Sequence, residues 1–205
     1  MSYFPFFIEL EGKQGLIVGG GAVAARKAEK LLPYGPSLTV VAPEILPEIA
    51  ALPISLRQRP FEEGDLEGIS FVIAAATPEV NHRIAALCST RALPVNVVDD
   101  PEHCSFLFPA LVKRGTLSIG ISTSGSSPTA AAYLKDQISA LLPEHFEELL
   151  VFLESLRPKL KAQIPTQQLR SKVFAALFSA CTAAGRPLTE AEVQAVVTEE
   201  MEGGS

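Results

Sequence analysis

Cysteine is scarce in this chain and follows no pattern. Only Cys88, Cys104 and Cys181 occur, none in C-x-x-C spacing, so neither a disulfide framework nor a structural zinc site is indicated, and buried free thiols are expected. Long hydrophobic runs are missing as well. "FVIAAA" and "VFAALFSACTAA" fall short of the roughly 20 apolar residues that a bilayer span requires. The N-terminal "MSYFPFFIELEGK" lacks the basic start of a secretory signal, so the expectation is a cytoplasmic chain outside any membrane. Positive charge is in short supply too: 17 Lys and Arg stand against 23 Asp and Glu, a formal charge of −6, with a pI near 5.2. That balance argues against a nucleic-acid partner, because neutralising phosphates needs clustered cations. An anionic ligand would have to be received locally. The pairs Arg26-Lys27 and Lys113-Arg114, and Lys135 beyond them, are candidates for that task and are equally compatible with ordinary solvated surface. No internal repeat or low-complexity segment occurs.

What is present is enough apolar material, 47% of 205 residues, for a real core. From residue 15 to about residue 98, short β-rich runs alternate with helical ones. "GLIV" leads into "AVAARKAEKLL", "SLTVV" into "EILPEIAAL", "ISLRQ" follows, and "SFVIAAA" leads into "EVNHRIAALCSTRA" before "PVNVV". Strands that are apolar throughout and separated by helices predict a parallel sheet covered on both faces, a Rossmann-like, doubly wound α/β fold. The loop "RPFEEGDLEG" is expected to be connective. After residue 105, "SFLFPALVKRGTLSIGIST" reads as a hairpin turning at Lys113-Arg114-Gly115. A helix follows, capped by Ser127 with Pro128 at its first position. Helices are then expected over about 144–156, 167–184 and 189–201. Thr189 and Glu192 have capping-box spacing, and the tail "EGGS" is expected to fray. The implied division is a doubly wound α/β domain over 1–113, a small α+β region over 114–143 and a helical domain over 144–205.

Gly19-Gly20-Gly21-Ala22-Val23-Ala24 fits G-x-G-x-x-[GA] directly after a predicted strand and at the start of a predicted helix. In that context Gly19 allows the tight turn, Gly21 lets a pyrophosphate reach the backbone, and Ala24 permits close helix–strand packing. The helix-start amides, from Ala22 and Val23 onward, favour the phosphate charge. The acidic residue expected about 20 positions on, at the end of the second strand, is displaced. "TVVAPE" puts Val41 or Ala42 there, with Pro43 and Glu44 bordering the ribose. No Lys or Arg follows at once to take a 2′-phosphate, which favours NAD over NADP. Thr77 ends another strand on the ligand side and is either a cofactor contact or a helix cap. Asp99 and Asp100 close "VNVVDD" at the carboxyl end of a buried strand, where open α/β sheets bind ligands. A carboxylate there can take a proton while a hydride leaves, and Asp-Asp-Pro is also ordinary turn chemistry. D-D-x-x-H-C, which includes His103 and Cys104, is no established metal spacing, and no metal ligand is assigned.

Taken together, "LIVGGGAVAARKAEKLL", "LTVVAPE", "NVVDDPEHCSFLFPALVKRG" and "ISTSGSSP" resemble the precorrin-2 dehydrogenase/sirohydrochlorin ferrochelatase module of siroheme synthases, from about residue 4 to 142. The resemblance implies NAD-dependent oxidation of the tetrapyrrole precorrin-2 to sirohydrochlorin, followed in many members by insertion of ferrous iron. It implies a homodimer formed through the region after the NAD domain, with the tetrapyrrole in a cleft between domains. Carried over by position, the cofactor contacts are Gly19, Gly21, Ala22, Val23, Pro43, Glu44 and Thr77, and the catalytic residue is Asp99. The family's "SSGGTSP"-like loop reads "STSGSSP" here, with serine at one glycine position. The fused methyltransferase domain of some members is not expected in a chain ending at Ser205. Precorrin-2 carries eight carboxylates, which gives the local cations a purpose. A non-catalytic NAD-binding redox sensor and an unrelated small-molecule dehydrogenase are the alternatives. Neither a DNA-binding helix signature nor the lysine or tyrosine motif of common dehydrogenases is present to favour them.

Overall fold

The structure is a computed structural model that describes residues 3–202. The last three residues of the "EGGS" tail therefore lie outside the described residues. Contacts divide the chain into two units, Phe4–Phe108 and a second built from Pro109 onward.

The first unit is a five-stranded parallel sheet in the order β3-β2-β1-β4-β5. Its strands are β1 (Gln14–Val18), β2 (Ser37–Val41), β3 (Ser55–Arg57), β4 (Phe71–Ala74) and β5 (Val95–Val97). Helix α1 (Ala22–Leu31) joins β1 to β2, the short α2 (Pro47–Ala50) joins β2 to β3, and α3 (Pro78–Thr90) joins β4 to β5. The strands read as unbroken apolar runs because both faces are covered. Leu16 and Val18 of β1 pack with Ile84, Ala85 and Cys88 of α3, while Ile17 packs with Ala24, Ala25, Ala28 and Leu31 of α1. This is the expected doubly wound sheet. The run "EILPEIAAL" makes a helix of only four residues, Pro47–Ala50, and a single buried side chain, Ile49, fastens it.

The acidic loop read as connective does more than connect. Asp65 sits in a 3₁₀ turn, Glu63–Leu66, with its side chain 1% exposed. Arg57 and Arg59 both approach its Oδ1 at 2.6 Å, and the Glu62 amide donates to its Oδ2 at 2.9 Å. The Arg59 guanidinium, helped by the Glu62 amide and Arg57, holds the carboxyl far below the usual carboxylate range against the opposing effect of burial. A strand with every residue exposed, β3, is thereby fixed at the sheet edge by a buried carboxylate.

In the second unit β6 (Ala110–Arg114) and β7 (Leu117–Ile121) form an antiparallel hairpin. The turn is Gly115-Thr116, with Gly115 at φ +52, and Lys113 and Arg114, expected in the turn, are paired within β6 instead. Glycine at the first central position is what a type II′ turn needs. Residue 113, where the sequence reading ended the first domain, lies inside β6. Strand pairing keeps β6 with β7, so the contact boundary falls between Phe108 and Pro109 instead. Helix α4 (Pro128–Leu141) begins as expected, with the Ser127 hydroxyl accepting from the Ala130 amide at 3.1 Å. Three helices, α5 (Phe146–Gln163), α6 (Gln167–Ala184) and α7 (Glu190–Glu202), gather around Leu160, Ile164, Val173, Leu177 and Cys181. Helix α5 runs past Pro158, beyond the expected end near residue 156. Burial of Leu160 and Ile164, at 1% and 0% exposure, holds the last turn despite the hydrogen bond that proline removes.

Candidate active site

Register brings the carboxyl ends of the central strands level. Val18 pairs with Val41 and with Ala74, and Ala74 pairs with Val97, so the loops leaving these strands share one edge of the sheet. The glycine loop leaves β1 there. Gly19 has φ +126, which L side chains rarely adopt, and a Cβ on it would overlap the Ala75 carbonyl oxygen. Its amide donates to the Val41 carbonyl at 3.0 Å. A Cβ on Gly20 would overlap the Glu44 carbonyl oxygen, and the Leu46 amide donates to the Gly20 carbonyl at 2.9 Å. Glu44, exposed like Pro43 before it, is thus held beside the loop through its backbone.

Gly21 differs from its neighbours. It is the N-cap of α1, in extended conformation, with no side-chain cap, and a Cβ there would meet nothing within 4 Å. Protein packing does not require this glycine. No acidic residue occupies the first turn of α1, so its dipole and leading amides at Ala22 and Val23 face open space, which suits a phosphate. The open space at Gly21 and the bare helix start fit a dinucleotide's pyrophosphate. Ala24, at 0% exposure, provides the close helix–strand contact. Thr77 is the N-cap residue of α3 without capping it. The Glu79 carboxyl is held below its usual value by its own backbone amide and then by the Thr77 hydroxyl.

At the far end, the turn after β5 is stapled from below. Asn96, 5% exposed, donates to the Phe106 carbonyl at 3.0 Å, the Val95 amide donates to Ser105 Oγ at 2.8 Å, and the Val97 amide reaches Cys104 Sγ at 3.1 Å. These bonds return the chain alongside β5 and hold Asp99 and Asp100 in the turn between. Asp99 is exposed, has φ +60, a region Asp tolerates better than most residues, and makes no hydrogen bond or ion pair among the described residues. Lys27 contributes to the same neighbourhood from α1. Its Nζ lies 3.7 Å from the Phe108 ring centroid. Burial, reinforced by Lys30, lowers its pKa to about 8, while Cys104 and Asp99 pull in the opposite direction.

Asp100 behaves differently from Asp99. Its Oδ2 lies 2.7 Å from His103 Nδ1 and 3.1 Å from His82 Nε2. The hydrogen bond from His103, with the field of that ring and a second bond from His82, lowers its pKa against desolvation. An ionised carboxylate only accepts, so both rings donate to it. The sequence reading missed His82, which lies 18 positions before Asp100 on a different element; no local spacing signals it. Of the cations proposed for an anionic ligand, Lys135 is paired with Asp136 at 3.0 Å, and Lys113 reaches the Gly115 carbonyl.

Sheet order, glycine loop and open helix start define an NAD(P)-binding domain of the Rossmann class. The chain belongs to the family described as Putative NAD(P)-binding, which residues 6–110, half of the chain, match; residues 114–141 match the family described as Sirohaem biosynthesis protein central. The siroheme synthase of Thioalkalivibrio sulfidiphilus is 39% identical over 183 residues, 87% of this chain and 37% of that protein. The siroheme synthase of Pseudomonas aeruginosa is 35% identical over 213 aligned positions, 100% of this chain and 45% of that one. The chain thus spans about two fifths of the length of these curated relatives. The solved structure of SirC, precorrin-2 dehydrogenase, shares the fold with a TM-score of 0.67 at 23% identity, covering 98% of this chain and 100% of that one.

Proposed function

We propose that this chain is an NAD-dependent precorrin-2 dehydrogenase that forms sirohydrochlorin and then receives ferrous iron as a second substrate, acting in the cytoplasm as a homodimer. The observation that carries the reading is the pairing, on one sheet edge, of a glycine loop open at Gly21 with an unpartnered carboxylate at Asp99. The siroheme synthase relatives and the SirC fold support the choice of substrate.

Oxidation removes one hydride and one proton from the substrate. When bound, NAD accepts the hydride. The Asp99 carboxylate accepts the proton, being exposed and free of competing hydrogen-bond donors among the described residues. Gly19, Gly21, Ala22 and Val23 hold the pyrophosphate, with Pro43 and Glu44 beside the ribose and Thr77 at the neighbouring loop. NAD is favoured over NADP because Arg57 and Arg59, on and just after the strand beside β2, are both engaged by Asp65. Half-buried and close to the field of Asp99, Lys27 is our candidate for a substrate carboxylate. For iron insertion, Asp99 is also the acceptor of pyrrole protons. The dimer reading is supported by α4, which buries a single residue, Ala131, and leaves Tyr133 and Leu141 61% and 81% exposed.

The test is to incubate the folded protein with precorrin-2 and NAD and to follow NADH. Formation of NADH with sirohydrochlorin is expected, and no NADH from a folded sample overturns the reading. Asp99→Ala is expected to bind NAD normally and lose about 10²–10⁴-fold in turnover. Wild-type turnover in that variant reduces Asp99 to a turn residue.

A further inference from the structure

We propose that His82, Asp100 and His103 form a binding site for one divalent first-row transition-metal ion. The three ligand atoms all lie within 4.8 Å of one another. Two of the separations, 3.1 Å and 2.7 Å from Asp100 Oδ2, bracket the roughly 3.0 Å between adjacent ligands of an octahedral ion bound at about 2.1 Å. The nitrogens that would ligate are the ones now donating to Oδ2. Binding therefore replaces two N–H···O bonds with two N–metal bonds and moves each ring's proton to its other nitrogen or to water.

Three features make this more than a surface ion pair. The two imidazoles come from different elements, α3 and the 3₁₀ turn Pro101–His103, yet meet on one carboxylate oxygen with their ring centroids 5.0 Å apart. The turn carrying Asp100 and His103 is stapled by Asn96, Cys104 and Ser105, so two of the three ligands need no ordering when an ion arrives. The His82 and His103 side chains are also 58% and 49% exposed, which leaves coordination positions open to water or an incoming ligand.

Two imidazoles and one carboxylate select ions of the Fe²⁺, Co²⁺ and Zn²⁺ class over Mg²⁺ and Ca²⁺, which prefer all-oxygen sets. The site stands independently of the dehydrogenase reading. Its use as a holding place for iron beside Asp99, one residue away in the chain, rests on the chelation reading given above.

The experiment is an anaerobic titration of the full chain with Co²⁺, followed by its visible absorption bands and by calorimetry, with Mg²⁺ as the control ion. One equivalent of Co²⁺ is expected to bind, with no competition from Mg²⁺. His82→Ala, on the exposed surface of α3, is expected to weaken binding by more than the roughly 10–100-fold that loss of an outer-shell partner costs, with NAD affinity unchanged as the check on folding. His103→Ala should do the same. No Co²⁺ binding in the wild type, or binding that survives both substitutions, overturns the proposal. Co²⁺ binding together with failure to insert iron into sirohydrochlorin supports the site and removes only the chelation reading.

Discussion

Adding a Cβ at each of the three consecutive glycines separates their roles. At Gly19 and Gly20 it collides with the backbone oxygens of Ala75 and Glu44, whereas at Gly21 it meets open space. Gly20→Ala is therefore expected to lose about 1–3 kcal/mol of stability through overpacking, seen as a lower Tm. Gly21→Val meets no clash, should lose only about 1 kcal/mol as a poorer N-cap, and should lose NAD affinity by calorimetry, because its side chain enters the space left for the pyrophosphate. Unchanged affinity would remove the cofactor site from this loop. Asp65 gives a pH-dependent test. Its folded pKa lies well below its unfolded value of about 3.9, so its contribution is complete above that value and is lost as the pH falls toward the folded pKa. Asp65→Asn leaves Arg57 and Arg59 without their buried partner. It is expected to cost about 1–3 kcal/mol near neutral pH, since the two arginines left behind remain partly solvated, and to flatten the loss of stability below about pH 4. A denaturant series across pH reads both effects, and an unaltered acid limb would show that other carboxylates set it.

At the scale of elements, the helix starts were legible because caps are local chemistry. Ser127 caps α4 through the Ala130 amide, and Thr189 and Glu192 exchange hydrogen bonds at the start of α7, at 2.7 Å and 3.4 Å. Ser127→Ala is expected to cost about 1 kcal/mol, visible as increased amide exchange in the first turn of α4. Protection equal to the wild type would mean that the Thr123 hydroxyl, 3.1 Å from the Ser127 carbonyl and amide, already holds that end. Helix ends were less legible. Pro158 reads locally as a stop, yet α5 continues to Gln163 because burial of Leu160 and Ile164 outweighs one missing hydrogen bond. The short α2 is the opposite case, a helical pattern with one buried anchor, Ile49.

At the scale of the molecule, no helix among the described residues is long and apolar enough to cross a membrane. The apolar surface on α4 is where the proposed dimer is tested. Sedimentation at micromolar concentration is expected to give a species of twice 21.9 kDa. A monomer there would contradict the dimer, and Leu141→Glu is the variant expected to produce it, since that side chain is 81% exposed in the single chain.

The sequence alone determined the alternation of strands and helices, the glycine loop and the place of Asp99. Each depends on neighbours in the chain: apolar periodicity, backbone freedom, and the rule that open α/β sheets bind ligands at strand carboxyl ends. Only the tertiary structure decided which glycine is free for a ligand, because that depends on what Ala75 and Glu44 place against the other two. It also showed that the loop around Asp65 is a buried anchor, since the carboxylate's partners come from the strand that the loop follows. The meeting of His82 with Asp100 and His103 was equally invisible in the chain. Parallel pairing of β4 with β5 brings the helix that follows one strand against the turn that follows the other, and a separation of 18 residues in sequence becomes 3.1 Å in space.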